Sequence, residues 1–268
     1  MKKSLSILVL VAAVTWAAGC STGADVRSDK GPSTTQAGAG DTSKDADATT
    51  TSAAAAGPKD SPALFLQGAV TVPAGEAGKL AVVSTGAPIG DSGSSVSVLV
   101  RNNTDKALTS IAMTGTARAA DGSLAGSGSS RSFEPVVLNP GEWGFGYVYF
   151  SSTVPPDATV EITVSGDNVS SSFFGDAVQL TVNELNLVPG EYGSSSYVGI
   201  VTNPDPKKTV GSASVDIGCF DAASNLVDVF TGYIDGEAVA GGTASFSIGV
   251  YEAPECAAVA VGASGYGT

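Results

Sequence analysis

The chain contains no histidine. That removes every Ser-His-Asp and Cys-His mechanism, together with the commonest ligand of transition metals. Cations are scarce as well. Thirteen lysines and arginines face 26 acids, a formal charge of −13, and losing Lys2 and Lys3 with a cleaved leader takes it to −15. So acidic a surface repels nucleic acid and anionic headgroups, and no nucleic-acid partner is expected. Past the first 20 residues no apolar run approaches the roughly 20 residues that a spanning helix needs. The glycine-rich stretch Gly122–Gly128 lacks a following Gly-Lys-Ser/Thr, so it offers no phosphate cradle and reads as a hairpin. No EF-hand pattern occurs, and the turn oxygens of Asn203 and Asp205 would offer Ca²⁺ a weak site at most. No cofactor is implied.

What is present begins with a leader. Met1-Lys2-Lys3 is a short positive region, and Leu5 to Ala18 is apolar except for Ser6 and Thr15. This is the length of a signal peptide's hydrophobic segment. It ends in Ala17-Ala18-Gly19-Cys20, which resembles the lipobox of bacterial lipoproteins. The resemblance implies a signal peptide over residues 1–19, removed to leave Cys20 as the lipidated first residue. One acyl chain holds weakly, so a stable anchor requires at least two, palmitate among them. The chain is then expected on the extracytoplasmic face of the cell membrane, held by the lipid on Cys20 alone.

Residues 20–62 form the expected tether. Between Ser21 and Ser61 there is no aromatic residue, and Val26 is the one large aliphatic. Such a segment cannot bury enough apolar area to offset ordering, and is expected to be disordered. At about 40 residues its root-mean-square reach is roughly 35 Å, with a stretched limit near 130 Å.

Beyond the tether the sequence repeats itself at about 100 residues. Leu99-Val100-Arg101-Asn102 is echoed by Ile200-Val201-Thr202-Asn203, and Asn139-Pro140-Gly141-Glu142 by Ala240-Gly241-Gly242-Thr243. Short β-rich runs are separated by turn residues, Asp121-Gly122 and Pro155-Pro156-Asp157 among them. The expected fold class is all-β, with two tandem immunoglobulin-like β-sandwich domains over 63–168 and 173–268, joined near Val169 to Ser172. Each copy resembles the bacterial FxLyD type of immunoglobulin-like domain. The likeness rests on a strand ending at Asn before a charged turn, a strand ending near Asp-Gly, and a Pro-Gly turn before an alternating strand. Ile217-Gly218-Cys219-Phe220-Asp221 loosely matches the name-giving motif, whereas Gly115 to Ala119 in the first copy does not. The resemblance supports fold and compartment and implies no catalytic residues.

With Cys20 consumed by lipid, Cys219 and Cys256 remain as an even pair in an oxidising space, which reads as a structural disulfide. A redox or metal pair would want Cys-x-x-Cys spacing or a third ligand. Trp143, Phe145, Tyr147 and Tyr149 alternate along one expected strand and therefore share a face. They are either an aromatic platform for a sugar or peptide, or sandwich core. Comparison with Ala244, Phe246, Ile248 and Val250 favours core, with Trp143 and Tyr149 as the members reaching a ligand. Acids such as Glu134, Glu142, Asp216 and Asp221 read as solvated charge at turns and alternating strand positions.

These readings converge on a non-catalytic, lipid-anchored binding or structural module of the bacterial cell envelope, with an envelope protein or polysaccharide as partner. The alternative is an accessory subunit of a membrane transporter or secretion complex, marked by an apolar strip on one sandwich edge. A free-standing receptor should instead carry a concave polar-aromatic pocket. A carboxylate-based hydrolase is the third class, and requires two acids converging in a cleft. Cys20→Ala is expected to abolish labelled-palmitate incorporation and to release the protein from membranes without detergent; continued incorporation would refute the anchor.

Overall fold

The computed structural model describes residues 60–169, 177–251 and 254–268. The expected leader, Cys20, nearly all of the tether and positions 170–172 of the expected joint lie outside the described residues. The described part falls within one compact unit, Ser52–Thr268. It contains thirteen β-strands and no α-helix: β1 Phe65–Gln67, β2 Leu80–Thr85, β3 Ser94–Asn102, β4 Leu108–Arg118, β5 Leu124–Glu134, β6 Trp143–Phe150, β7 Thr159–Asn168, β8 Ala177–Pro189, β9 Ser194–Thr202, β10 Ser214–Phe220, β11 Leu226–Tyr233, β12 Thr243–Tyr251 and β13 Ala258–Tyr266.

The strands form two antiparallel sheets, one per repeat. The first runs β2-β3-β6-β5-β4-β7 and the second β11-β10-β13-β8-β9-β12. Written as rings, the two orders coincide. The first sheet opens between β7 and β2, whereas the second opens between β12 and β11. This is the neighbour order of an immunoglobulin-like sandwich without its last strand. The repeat also shows in its corner pins. Asn102 Nδ2 donates to the carbonyls of Lys106 (2.8 Å) and Leu138 (2.7 Å), and Asn203 Nδ2 to those of Lys208 (2.8 Å) and Ala238 (2.9 Å).

Each repeat encloses its own core. Val96, Val98, Val100, Met113, Val148 and Phe150 fill the first, and Leu180, Val215, Ile217, Phe246, Ile248 and Val261 are central to the second. A third cluster lies between the repeats: Leu99, Trp143 and Phe145 from the first pack on Phe220, Leu226, Ala258 and Ala260 from the second. The Trp143 and Phe220 rings meet edge to face, with centroids 6.0 Å apart. Around Phe220 and Leu226 the receiving surface is made of small residues. A Cβ on Gly218 would come within 3.1 Å of Phe145, and one on Gly262 within 2.4 Å of the Glu134 Cβ.

This cluster corrects the expectation for the aromatic strand. The repeats are offset by 101 residues at Asn102 and Asn203 but by 100 at β6 and β12, because Asn102 N donates to Glu142 O and Asn203 N to Gly242 O, both at 2.9 Å. Gly144, Gly146, Val148 and Phe150 are therefore the counterparts of Ala244, Phe246, Ile248 and Val250. A one-residue shift in a strand moves every side chain to the other face. Trp143 and Phe145 thus lie on the outer face of their own sandwich, covered by the second repeat. Trp143 is 1% exposed and faces no ligand.

The segment before the first repeat joins the second. β1 pairs antiparallel with β13, Phe65 opposite Val261, so a domain boundary at residue 63 does not separate the two sheets. Ser61 Oγ accepts from Trp143 N (2.9 Å), and the buried Arg101 donates to the carbonyls of Val72, Pro73 and Gly141. Cys219 and Cys256 form the expected disulfide, linking β10 to the segment before β13. On the chain-entropy account, closing that loop between residues 37 positions apart contributes about 4 kcal/mol.

Because the repeats share an apolar cluster, they are expected to unfold in one cooperative transition, with Phe220→Ala costing about 3–5 kcal/mol. Denaturant titration followed by the fluorescence of Trp143 and by far-ultraviolet dichroism checks this. Two separate transitions in the wild type would refute the coupling.

Candidate functional site

Where the two repeats diverge beyond the aromatic cluster they leave a groove of about 840 Å³. The first repeat supplies wall residues from β4, β5 and β6, and the second from β10, β11 and β13. Eight serine and threonine residues, four tyrosines and a single charged residue, Arg131, line it among the described residues. Tyr147 and Tyr149 continue the alternation of Trp143 and Phe145, so one strand face is interface at one end and groove at the other. Tyr233 and Tyr266 stand opposite, each largely exposed.

Two irregularities aim the first repeat's residues. In β5, Ser130 pairs with Val148 and Ser132 with Tyr147, so Arg131 is the extra residue of a bulge. Bulges redirect side chains, and this one brings the guanidinium over the Tyr149 ring, 5.4 Å from its centroid. In β4, the register jumps between Thr109 and Ala112, and Ser110 takes a φ of 51°. That conformation is uncommon for serine and places local strain in the groove wall. The hydroxyls of Ser110 and Ser132 are buried and have no hydrogen-bond partner.

Beneath the groove lies a polar layer that spans the interface. Glu134 of β5 is 1% exposed; Ser264 Oγ donates to its Oε1 and Gln179 Nε2 to its Oε2 (3.1 Å). Gln179 also donates to Ala263 O (2.8 Å) and accepts from Val136 N (2.9 Å), so one amide stitches both repeats together. Asp216 of β10 is fully buried and accepts from Thr231 Oγ1 at 2.7 Å. Its Oδ2 and Ser132 Oγ lie near each other outside hydrogen-bond geometry. Burial, reinforced by the neighbouring Asp216 charge, pushes the Glu134 carboxyl up to about 8, and burial raises Asp216 too. Burial likewise raises Tyr147, which lies against Thr231. Glu134 therefore keeps its proton at neutral pH, which relieves repulsion between two acids in a dry interface. These acids are not the solvated charges that alternation along their strands suggested. Neither lines the groove.

Of the residues singled out from sequence, Tyr149 lines the groove, Trp143 is buried in the interface, and Cys20 lies outside the described residues. Asn203 and Asp205 are occupied as a turn: Asn203 Oδ1 accepts from Asp205 N (3.0 Å), and Asp205 Oδ1 from Lys207 N (2.8 Å) and Lys208 N (3.1 Å). Among the described residues no three His, Cys, Asp or Glu side chains cluster to hold a metal. Arg131 and Ser110 were not anticipated. A signal for Arg131 existed, since it is the only cation between Arg118 and Lys207. No family model and no curated protein matches the sequence.

The raised Glu134 carboxyl fixes a pH dependence. The folded state holds a proton that the unfolded chain loses above its ordinary value of 4.5, so stability falls as pH rises from 4.5 to about 8 and levels off beyond. The loss amounts to about 5 kcal/mol at most. In Glu134→Gln the Ser264 hydroxyl can turn to accept from the new amide. This variant is expected to flatten most of that slope and to melt higher than wild type at pH 8 in calorimetry. An unchanged slope would refute the assignment.

Proposed function

We propose that this protein is a lipid-anchored, extracytoplasmic binding module of the bacterial envelope, non-catalytic, with the inter-repeat groove as its ligand site. The lipobox-like Ala17-Ala18-Gly19-Cys20 and the spacer behind it support the location. The groove carries the binding reading: it is concave, mixed in aromatic and hydroxyl character, and large enough for a small ligand or one segment of a polymer. A pocket of this kind is what separates a receptor from an accessory subunit, whose docking strip would be apolar. Hydrolysis by paired carboxylates has less support, because Glu134 and Asp216 are sealed under the groove and hydrogen-bonded into the interface.

The test places a photoreactive benzoylphenylalanine in the full-length protein in intact cells. One variant carries it at the exposed groove residue Ser212, the other at Tyr192 on a distant hairpin tip, which is 89% exposed. A discrete adduct from position 212 and none from 192 is expected. No adduct from 212, or equal labelling from both, would refute the groove as the site.

A further inference from the structure

We propose that the groove accepts an acidic oligosaccharide, with sugar rings on the tyrosines and a carboxylate or phosphate substituent on Arg131. This rests on the groove being the ligand site.

Three observations select the class. The charge in the wall is the first. The protein as a whole repels anions at −13, yet the described groove lining holds one cation and no acid. The single ion pair among the described residues joins Lys79 to Glu76, so no carboxylate there neutralises Arg131. The bulge holds its guanidinium over the Tyr149 ring, with no carboxylate on its fork of donors, which leaves them for an external oxyanion. An arginine that merely kept the protein soluble would need neither the bulge nor the ring.

The second is the match between wall and sugar. A sugar ring has apolar C–H faces and a rim of hydroxyls that both donate and accept. Tyr147, Tyr233 and Tyr266 offer faces for the former, and the wall is rich in serine and threonine for the latter, although Thr109, Ser214, Thr231 and Ser264 already donate within the protein. The Ser110 hydroxyl is buried with no partner, whereas that of Ser132 lies beside Asp216 Oδ2.

The third is what the groove withholds. An extended peptide gains affinity by adding a strand to an open sheet edge. Here β5, β6, β10 and β13 are each paired on both sides, and β11 is the one edge strand in the described wall. Recognition away from β11 must therefore run through side chains. The site also extends: a shallower hollow of about 290 Å³ shares Arg131 and Tyr149 and continues along Ser127, Ser129 and Ser151. A ligand longer than one ring thus places its anionic substituent at Arg131, in the middle of its path.

The test uses the full-length protein in detergent micelles and titration calorimetry with trigalacturonate, neutral maltotriose and an oligoglutamate peptide. Trigalacturonate is expected to bind, with maltotriose at least tenfold weaker and oligoglutamate weaker still. Arg131→Gln should cost roughly tenfold or more for trigalacturonate and abolish its preference over maltotriose, and Arg131→Lys should restore part of it. Arg131 is exposed, so neither variant threatens folding. Equal binding of maltotriose, or no effect of Arg131→Gln, would overturn the acidic part of the proposal. Equal or tighter binding of oligoglutamate would overturn the saccharide part in favour of a peptide. If no saccharide binds while Ser212 still yields its adduct in cells, this proposal fails and the groove stands; if both are silent, both fail.

Discussion

A β-strand has two faces, and a sandwich buries only one of them. The architecture depends on how β6, β10 and β13 bury the other. Trp143 and Phe145 project from the outer face of the first repeat, and the second meets them with Gly218, Ala258, Ala260 and Gly262. Large aromatics carry most of the apolar area available for such a contact, and a surface stripped of side chains lets them approach the backbone. The second repeat's own counterpart of this aromatic face, Thr243, Ser245, Ser247 and Gly249, is exposed, with no other described segment covering it. The asymmetry between two related strands records which face found a partner.

The groove is a consequence of the same contact. Two curved sheets that touch along one patch diverge beyond it, and the residues next to the patch become walls. Tyr147 and Tyr149 belong to the strand that provides Trp143 and Phe145, so docking and ligand recognition share a backbone. The acid pair beneath adds polarity to a dry junction. Buried ionic groups rarely add stability, and here the cost is limited by Glu134 retaining its proton and by the donors of Ser264 and Gln179. The network fixes the two repeats in one relative register, since an apolar patch alone would tolerate sliding.

The strands were largely legible from alternation and turn chemistry. Strand β6, Trp143–Phe150, lies where the alternating aromatics placed one, and Gly122 takes the positive φ, 84°, that the hairpin at Asp121-Gly122 demands. Strand β5, through Leu124-Ala-Gly-Ser-Gly-Ser-Ser, escaped because it has almost no apolar pattern; its neighbours β6 and β4 hold it by backbone pairing. The aromatic face was placed in the wrong core because the repeat period drops from 101 to 100 between Asn102 and β6. One missing residue is invisible to motif matching yet reverses a strand's two faces.

The amino-acid sequence alone determined the all-β class, the tandem repeat and the pairing of Cys219 with Cys256, since period-two alternation, turn residues and an even cysteine count are local or countable properties. Only the tertiary structure decided which outer faces are buried, that Glu134 and Asp216 share a dry interface, and that Arg131 stands alone in a groove. Those outcomes depend on contacts between residues far apart in sequence, from 43 positions for Val136 and Gln179 to 130 for Glu134 and Ser264, and a strand's own pattern cannot distinguish a face left to water from one covered by another domain.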